Sequence, residues 1–295
     1  MLSAETGGAV DFSKNFMPER LTPLFHTPVY HRLNLAQRRR YNQLHACYLN
    51  EQTIFFESVM ARPILQCYPG RVSRGLAAGL GEFMQEEERH SAMFRALNRA
   101  CAPAIYGGTD FHAIRLGAAV RWPLRWWVQC AGRFPLFLWL LLIQEERAMF
   151  YAGEFLAEAD HLEPAFVAAQ RKHLADEVGH VRWDEQLLDE VWPRTTPAWR
   201  RVNARLLAWL LREFFVLPRR SGWRVVELLL AEFPELRGRK AEWRDALRGL
   251  ADNREFHRLA YSWEVTPRAF ARFEREPEFQ DIGRVLPCFQ RTESV

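Results

Sequence analysis

The 295-residue sequence has no closely spaced cysteine pair, no long hydrophobic run and no large excess of one charge. Its five cysteines are scattered, which argues against a disulfide framework or a zinc ribbon and favours a reducing cytoplasm. The longest apolar run, residues 135–143, is about half of what spans a bilayer. Forty basic and 36 acidic residues leave a net charge of +4, too even a balance to indicate a nucleic-acid-binding protein. We therefore expect a cytoplasmic protein that binds neither nucleic acid nor membrane.

Strand signals are also missing, because no segment alternates polar and apolar residues and no Asn-Gly or Asp-Gly hairpin turn occurs. Periodic helical segments fill the chain, and the 11 Trp and 21 Phe residues indicate a large interior. The sequence predicts an all-α fold, a four-helix bundle with additional C-terminal helices and an N-terminal arm. We expect one domain, residues 1–295, made of an arm (1–35), a four-helix bundle (36–195) and a helical extension (196–295). The predicted helices span 36–62 (ending at Pro63), 73–100, 135–159 and 164–191, followed by shorter ones in 198–217, 222–233 and 239–274.

The strongest motif is the segment HLADEVGH, which contains His173, Glu177 and His180. Offsets of four and three residues place these side chains on one face of a helix, where two imidazoles and a carboxylate make a metal-ligand set. A second Glu-x-x-His motif, Glu87 and His90, lies on the second predicted helix. Two copies on helices two and four indicate a di-iron carboxylate bundle, in which the other two helices supply one glutamate each.

Helices one and three each offer two glutamates for that role. Helix one contains Glu51 and Glu57, and helix three contains Glu145 and Glu146. A helical wheel slightly favours Glu51 and Glu145, which lie nearest the centre of the apolar stripe. Both helices are apolar nearly all round, so the residues alone leave both choices open.

The motifs resemble those of the para-aminobenzoate N-oxygenase-like (AurF-type) di-iron oxygenases, over roughly residues 35–195. The resemblance rests on NEQTIFFESVMARP (50–63), on both Glu-x-x-His motifs and on His173, which matches the seventh ligand typical of that family. It implies that the bundle (36–195) is ferritin-like and binds metal, and it favours Glu57 over Glu51 and Glu146 over Glu145. The metal ligands that it implies are Glu57, Glu87, His90, Glu146, His173, Glu177 and His180. Glu51, Glu86, Glu145 and Asp176 are expected around them, with Glu86 and Asp176 accepting hydrogen bonds from the ligand histidines.

The resemblance implies two Fe ions per chain, with O₂ as co-substrate, although these ligand types also allow manganese in one site. It implies oxygenation of a small aryl or amino-acid-derived amine to a hydroxylamine, nitroso or nitro product in a biosynthetic pathway. No flavin or NAD fingerprint is present, so we expect an external electron donor, a protein or a small reductant. We also expect a homodimer. The substrate-binding residues are not indicated.

Three alternatives remain at this point. The same site could hydroxylate, desaturate or cleave a C–H or C–C bond, or the protein could handle iron as a ferritin does. It could also be a helical binding module whose carboxylates pair with arginines, although such a module has no reason to repeat Glu-x-x-His. The aromatic-rich interior and the C-terminal extension favour an enzyme with an organic substrate. The segment RWPLRWW, residues 121–127, is interpreted as a packed loop in which arginines lie on tryptophan rings.

Overall fold

The computed structural model describes residues 9–290, and all regular secondary structure in that range is helical, as predicted. Single-turn helices occupy Pro28–His31, Arg62–Leu65 and Pro103–Tyr106, and π-helical segments occupy Phe56–Ala61 and Leu211–Phe215. The longer helices are α1 (Leu35–Phe55), α2 (Arg74–Cys101), α3 (Ala118–Gln129), α4 (Leu136–Ala157), α5 (Pro164–Val191), α6 (Pro197–Leu210), α7 (Arg219–Glu232), α8 (Lys240–Gly249), α9 (Arg254–Ala260) and α10 (Pro267–Arg275).

Helices α1, α2, α4 and α5 form the four-helix bundle: α1 packs against α2, α4 packs against α5, and α2 contacts α5. The start of α1 is fixed by a capping box in which the side chains of Asn34 and Gln37 each accept the backbone N–H of the other residue. Helix α5 begins at Pro164, where the Glu163 carboxylate accepts two backbone N–H groups of the first turn. These caps define where two of the bundle helices begin.

The first bundle helix does not stop at Pro63. It changes to π-helix at Phe56, and one further α-turn, Arg62–Leu65, then follows. Pro63 lacks the backbone N–H that would continue the hydrogen-bond ladder, and it comes just after the π segment, where the ladder changes its spacing. The wider π turns also change the direction in which Glu57 points.

Aromatic packing connects the C-terminal extension to the bundle. The buried Trp139 ring of α4 stacks on Phe273 of α10 at 5.1 Å and contacts Trp192 at 5.3 Å. At the other end of the chain, the arm is attached to α1, because the Asn42 side chain accepts the N–H of Phe16 and donates to the Met17 carbonyl. The predicted arm and extension therefore both pack on the bundle.

The tryptophan-rich segment is not a packed loop. It forms helix α3, in which Trp122 is 73% exposed and Trp126 is 54% exposed. Among the described residues, cation–π pairs of arginine with tryptophan occur elsewhere, at Trp192 and Trp223. Within residues 9–290, no helix has the length and apolarity needed to cross a membrane.

Candidate metal centre

A cluster of buried carboxylates and imidazoles lies at the middle of the bundle, built from all four of its helices. One group consists of Glu57, His90, His173 and Glu177, a second of Glu87, His90 and His180, and a third of Glu145, Glu177 and His180. Within each group, one ligand atom per residue lies within 4.8 Å of the others. Each member is buried, with at most 5% exposure.

Glu177 connects the two halves of the cluster. Its Oε1 lies 2.7 Å from His173 Nε2 and 3.7 Å from His90 Nδ1, while its Oε2 lies 3.4 Å from His180 Nδ1. On the first side, Glu57 Oε1 is 3.1 Å from His173 Nε2. On the second, Glu87 Oε1 is 3.2 Å from His180 Nδ1. One carboxylate with an oxygen toward each half has the arrangement of a bridging ligand.

Glu145, not Glu146, belongs to this cluster. Glu145 Oε2 lies 3.9 Å from His180 Nδ1. Glu146 instead accepts hydrogen bonds from the backbone N–H groups of Arg268 and Ala269, at 2.7 and 2.9 Å, at the start of α10. The resemblance favours Glu146 as the helix-three ligand and Glu145 as its neighbour, whereas in this geometry Glu145 faces the cluster and Glu146 faces the start of α10. Neighbouring positions on an α-helix point about 100° apart, so only one of the two can face the cluster.

Glu57 is the helix-one glutamate that enters the cluster, where Ser91 also donates its hydroxyl to Glu57 Oε2 at 2.9 Å. Glu51 is fully buried but lies outside the metal-ligand groups. Its carboxylate accepts the Tyr106 hydroxyl at 2.9 Å and the backbone N–H of Ala113 at 3.1 Å. Glu51 therefore anchors the segment before α3 to the bundle.

Two carboxylates outside the cluster, Asp176 and Glu86, pair with cluster histidines. His90 Nε2 lies 2.9 Å from Asp176 Oδ2, and His180 Nε2 lies 3.1 Å from Glu86 Oε2. With Nε2 held by a carboxylate outside the cluster, the Nδ1 atom of each histidine faces the cluster interior. The pairing is crosswise between the two Glu-x-x-His motifs. Glu86 precedes the first motif and pairs with His180 of the second, and Asp176 precedes Glu177 of the second and pairs with His90 of the first.

The cluster crowds carboxylates and imidazoles together, so protons are shared among them when no metal is bound. Burial opposes charging of His173, but the Glu177 carboxylate outweighs it and raises the pKa of His173 to about 10. Burial is likewise outweighed at His180, where Glu145 and Glu177 hold the pKa far above its usual range.

Burial raises the pKa of Glu57 to about 8, and the nearby Glu87 carboxylate adds to the effect. Burial likewise raises the pKa of Glu145 well above its usual range, with Glu177 contributing. Burial lowers the pKa of His90 to about 4, so its imidazole is neutral at pH 7. Neutral imidazoles and deprotonated carboxylates are the forms that bind metal.

Several cluster atoms also lack a hydrogen bond of good geometry. They are both carboxylate oxygens of Glu87, both of Glu177, and the Nδ1 atoms of His90 and His180. Buried polar atoms without partners are costly, and buried carboxylates need a compensating cation. Four carboxylates and three imidazoles with inward-facing free atoms fit a pair of iron ions.

Sequence reasoning missed Asp184, which is fully buried one turn after His180 on α5. Neither of its carboxylate oxygens has a hydrogen-bond partner, and burial raises its pKa well above the usual range. The sequence spacing could have indicated Asp184, because it follows His180 by four residues and Glu177 by seven and therefore lies on the same face of the helix. Ser91 was also missed, and no spacing rule indicates its bond to Glu57.

Comparison with known families agrees with this geometry. Residues 5–256 match the model of the family described as P-aminobenzoate N-oxygenase AurF. The chain belongs to the AurF family. Its members are di-iron N-oxygenases, so the protein is an oxidoreductase. The match is wider than the 35–195 resemblance and includes much of the arm and extension. No curated protein matches the chain significantly.

Proposed function

We propose that this AurF-family enzyme uses two iron ions and O₂ to oxygenate the nitrogen of a small amine, an arylamine or an amino-acid-derived one, in a biosynthetic pathway. The observation that carries the proposal is the position of Glu177, with one oxygen toward each half of a buried cluster containing three imidazoles. The proposed ligands are Glu57, Glu87, His90, Glu145, His173, Glu177 and His180. Bound iron would supply the electrons that activate O₂ for transfer of oxygen to the amine.

The chain's own residues have separate tasks in this proposal. Glu57, His90 and His173 would hold one ion, Glu87, Glu145 and His180 the other, and Glu177 both. Asp176 and Glu86 keep the two imidazoles oriented, so that the Nδ1 atoms stay aimed inward without bound metal.

The protein also limits access of water to the site. The Phe83 ring stacks on the His180 imidazole at 4.1 Å, and the edge of Phe94 meets His173 at 5.2 Å. Both phenylalanines are fully buried. An apolar, water-excluding boundary of this kind strengthens electrostatic interactions inside the site and suppresses side reactions.

The test is iron analysis followed by turnover. We expect about two iron ions per chain after anaerobic loading, an optical change when the reduced protein meets O₂, and oxygenated nitrogen products by mass spectrometry with an arylamine panel. Products hydroxylated on carbon would favour the alternative C–H chemistry. Less than one iron per chain, with no optical response to O₂, would contradict both the N-oxygenase proposal and the alternative of C–H chemistry.

A matched pair of variants locates the site. Glu177→Gln removes the carboxylate common to both halves and should abolish loading of both ions. Glu51→Gln changes an equally buried glutamate that lies outside the cluster, and it should leave iron content near the wild-type value. Equal iron loss in the two variants would show that the effect is structural.

A further inference from the structure

The exposed tryptophans of this protein are concentrated on two neighbouring helices. Of the ten large hydrophobic residues that are exposed among the described residues, seven lie on α3, α6 and the π-segment after α6. They include every exposed tryptophan in the described part of the chain. We call this surface the tryptophan face, defined by Trp122, Trp126, Trp199, Trp209 and Phe214.

Ring contacts place α3 and α6 next to each other. The Trp127 ring, on α3, lies 6.5 Å from Trp209, on α6, and Trp209 lies 5.7 Å from Phe214. Phe134 connects the other end, 5.8 Å from Trp127 and 5.5 Å from Trp199. A contiguous exposed aromatic surface of this kind marks an interaction site.

The charge of this surface has one sign over most of its extent. Residues 111–144 contain no Asp or Glu, and α3 contributes Arg121 and Arg125. On α6, Arg201 and Arg205 are exposed, and neither has a carboxylate within 4.0 Å among the described residues. The exposed acid at the end of the face, Glu213, is already paired with a neighbouring arginine.

A cleft of about 440 Å³ opens at the edge of the face, beside Trp199. Its lining includes Arg71, Arg133 and Arg194. Guanidinium groups bind phosphate and carboxylate through paired N–H donors. The cleft and the face together therefore favour a partner that is both anionic and apolar.

We propose that the tryptophan face binds peripherally to an anionic lipid bilayer. Tryptophan side chains concentrate at the boundary between headgroups and acyl chains, and arginines beside them bind anionic headgroups. Trp122 and Trp126 are one turn apart on the outward side of α3, so both rings would insert into the bilayer to a similar depth. This modifies the expectation that the protein makes no membrane contact.

A second copy of the chain fits the face less well. A two-fold contact brings the same patch against itself, and here it would bring arginines against arginines with few carboxylates to compensate. A bilayer containing acidic lipids instead supplies the missing negative charge across the whole face.

The experiment is co-sedimentation of the full-length protein with vesicles. We expect binding to vesicles that contain phosphatidylglycerol, weak binding to pure phosphatidylcholine, and a decrease in binding as salt is added. The double variant Trp122→Ser/Trp126→Ser should bind at least about tenfold more weakly, because burial of two large aromatic groups is lost. Arg121→Gln/Arg125→Gln should remove most of the preference for acidic lipid.

The control is Leu35→Ser, which changes a 69% exposed residue on α1, outside the tryptophan face. It should bind like the wild type, and matching thermal unfolding of all variants would exclude misfolding. The proposal is overturned if the wild type ignores acidic vesicles at low salt, or if the tryptophan variant binds them equally well. Self-association that the tryptophan variant abolishes, without vesicle binding, would assign the face to a second copy instead.

Discussion

Replacing Glu145 and Glu146 separately should give opposite results, because the two adjacent carboxylates perform different tasks. Glu145→Gln should lower iron content, since its carboxylate faces His180 and Glu177. Glu146→Ala should keep the iron but destabilise the protein, since its carboxylate holds the first turn of α10.

The size of the Glu146 effect follows from its two hydrogen bonds. The N–H of Ala269 is fully buried and loses its partner, whereas Arg268 is exposed and its N–H can bond to water. A buried unpaired donor and a lost helix cap together cost about 2–4 kcal/mol. For a chain of this size the unfolding midpoint should fall by roughly 4–8 °C. The Glu146→Gln variant keeps an acceptor oxygen, so its unfolding midpoint should fall by less.

The metal-free Glu145 variant provides an internal check. Because burial raises the pKa of Glu145 well above its usual range, that residue is protonated without metal, and glutamine has nearly the same shape. Metal-free Glu145→Gln should therefore unfold at the wild-type temperature or slightly above it. Iron should raise the unfolding temperature of the wild type and of Glu146→Ala, but not of Glu145→Gln.

Metal analysis by mass spectrometry and calorimetric unfolding, each with and without iron, measure both effects. Loss of iron in the Glu146 variants together with full loading in Glu145→Gln would refute this assignment and restore the one favoured by the family resemblance. Unchanged stability of Glu146→Ala would refute the capping argument alone.

Three further outcomes are expected. Because the pKa of Glu57 is about 8 when folded and near 4.5 when unfolded, its contribution to stability is complete below about pH 4.5 and lost as pH rises through about 8. The metal-free protein should thus lose thermal stability as pH rises over that range, while its affinity for iron increases. An unfolding temperature that does not change with pH would contradict the burial of this carboxylate. Asp176→Asn weakens the hydrogen-bond acceptor of His90 and should lower iron affinity about 10–100-fold, measured by competition with a chelator. Wild-type affinity in this variant would show that the contact has no role in iron binding. Gly79→Ala places a Cβ 2.9 Å from the Trp183 indole nitrogen and should cost about 1–3 kcal/mol in denaturant unfolding, while Gly81→Ala, which meets nothing within 4 Å, should be neutral or mildly stabilising.

Much of the bundle and most of the cluster could be predicted from local spacing. The predicted segment 164–191 is the observed α5, and the Glu-x-x-His offsets place their side chains correctly because four- and three-residue intervals share a face in any regular helix. Glu57 could not be assigned by a helical wheel, since a wheel assumes a constant angle per residue and Glu57 lies in a π segment. The family resemblance favours Glu57, and the same glutamate lies beside His173 in the cluster.

The choice between Glu145 and Glu146 depends on residues far away in sequence. Both side chains are buried, so hydrophobic patterning does not distinguish them. The start of α10 lies more than a hundred residues downstream and takes up the Glu146 carboxylate. The exposure of α3 was likewise not predictable, because its tryptophans fit a packed segment equally well until the neighbouring helices are placed.

The crosswise hydrogen bonds between α2 and α5 fix the axial register of the two helices. A shift of one helix by a single turn, about 5.4 Å, would break the His90–Asp176 and His180–Glu86 contacts together. Two buried imidazoles would then lose their acceptors, so intermediate positions are unfavourable. The spacing between the two halves of the cluster is thus set by contacts that involve no metal, and the ions would enter a frame whose dimensions the polypeptide has already determined.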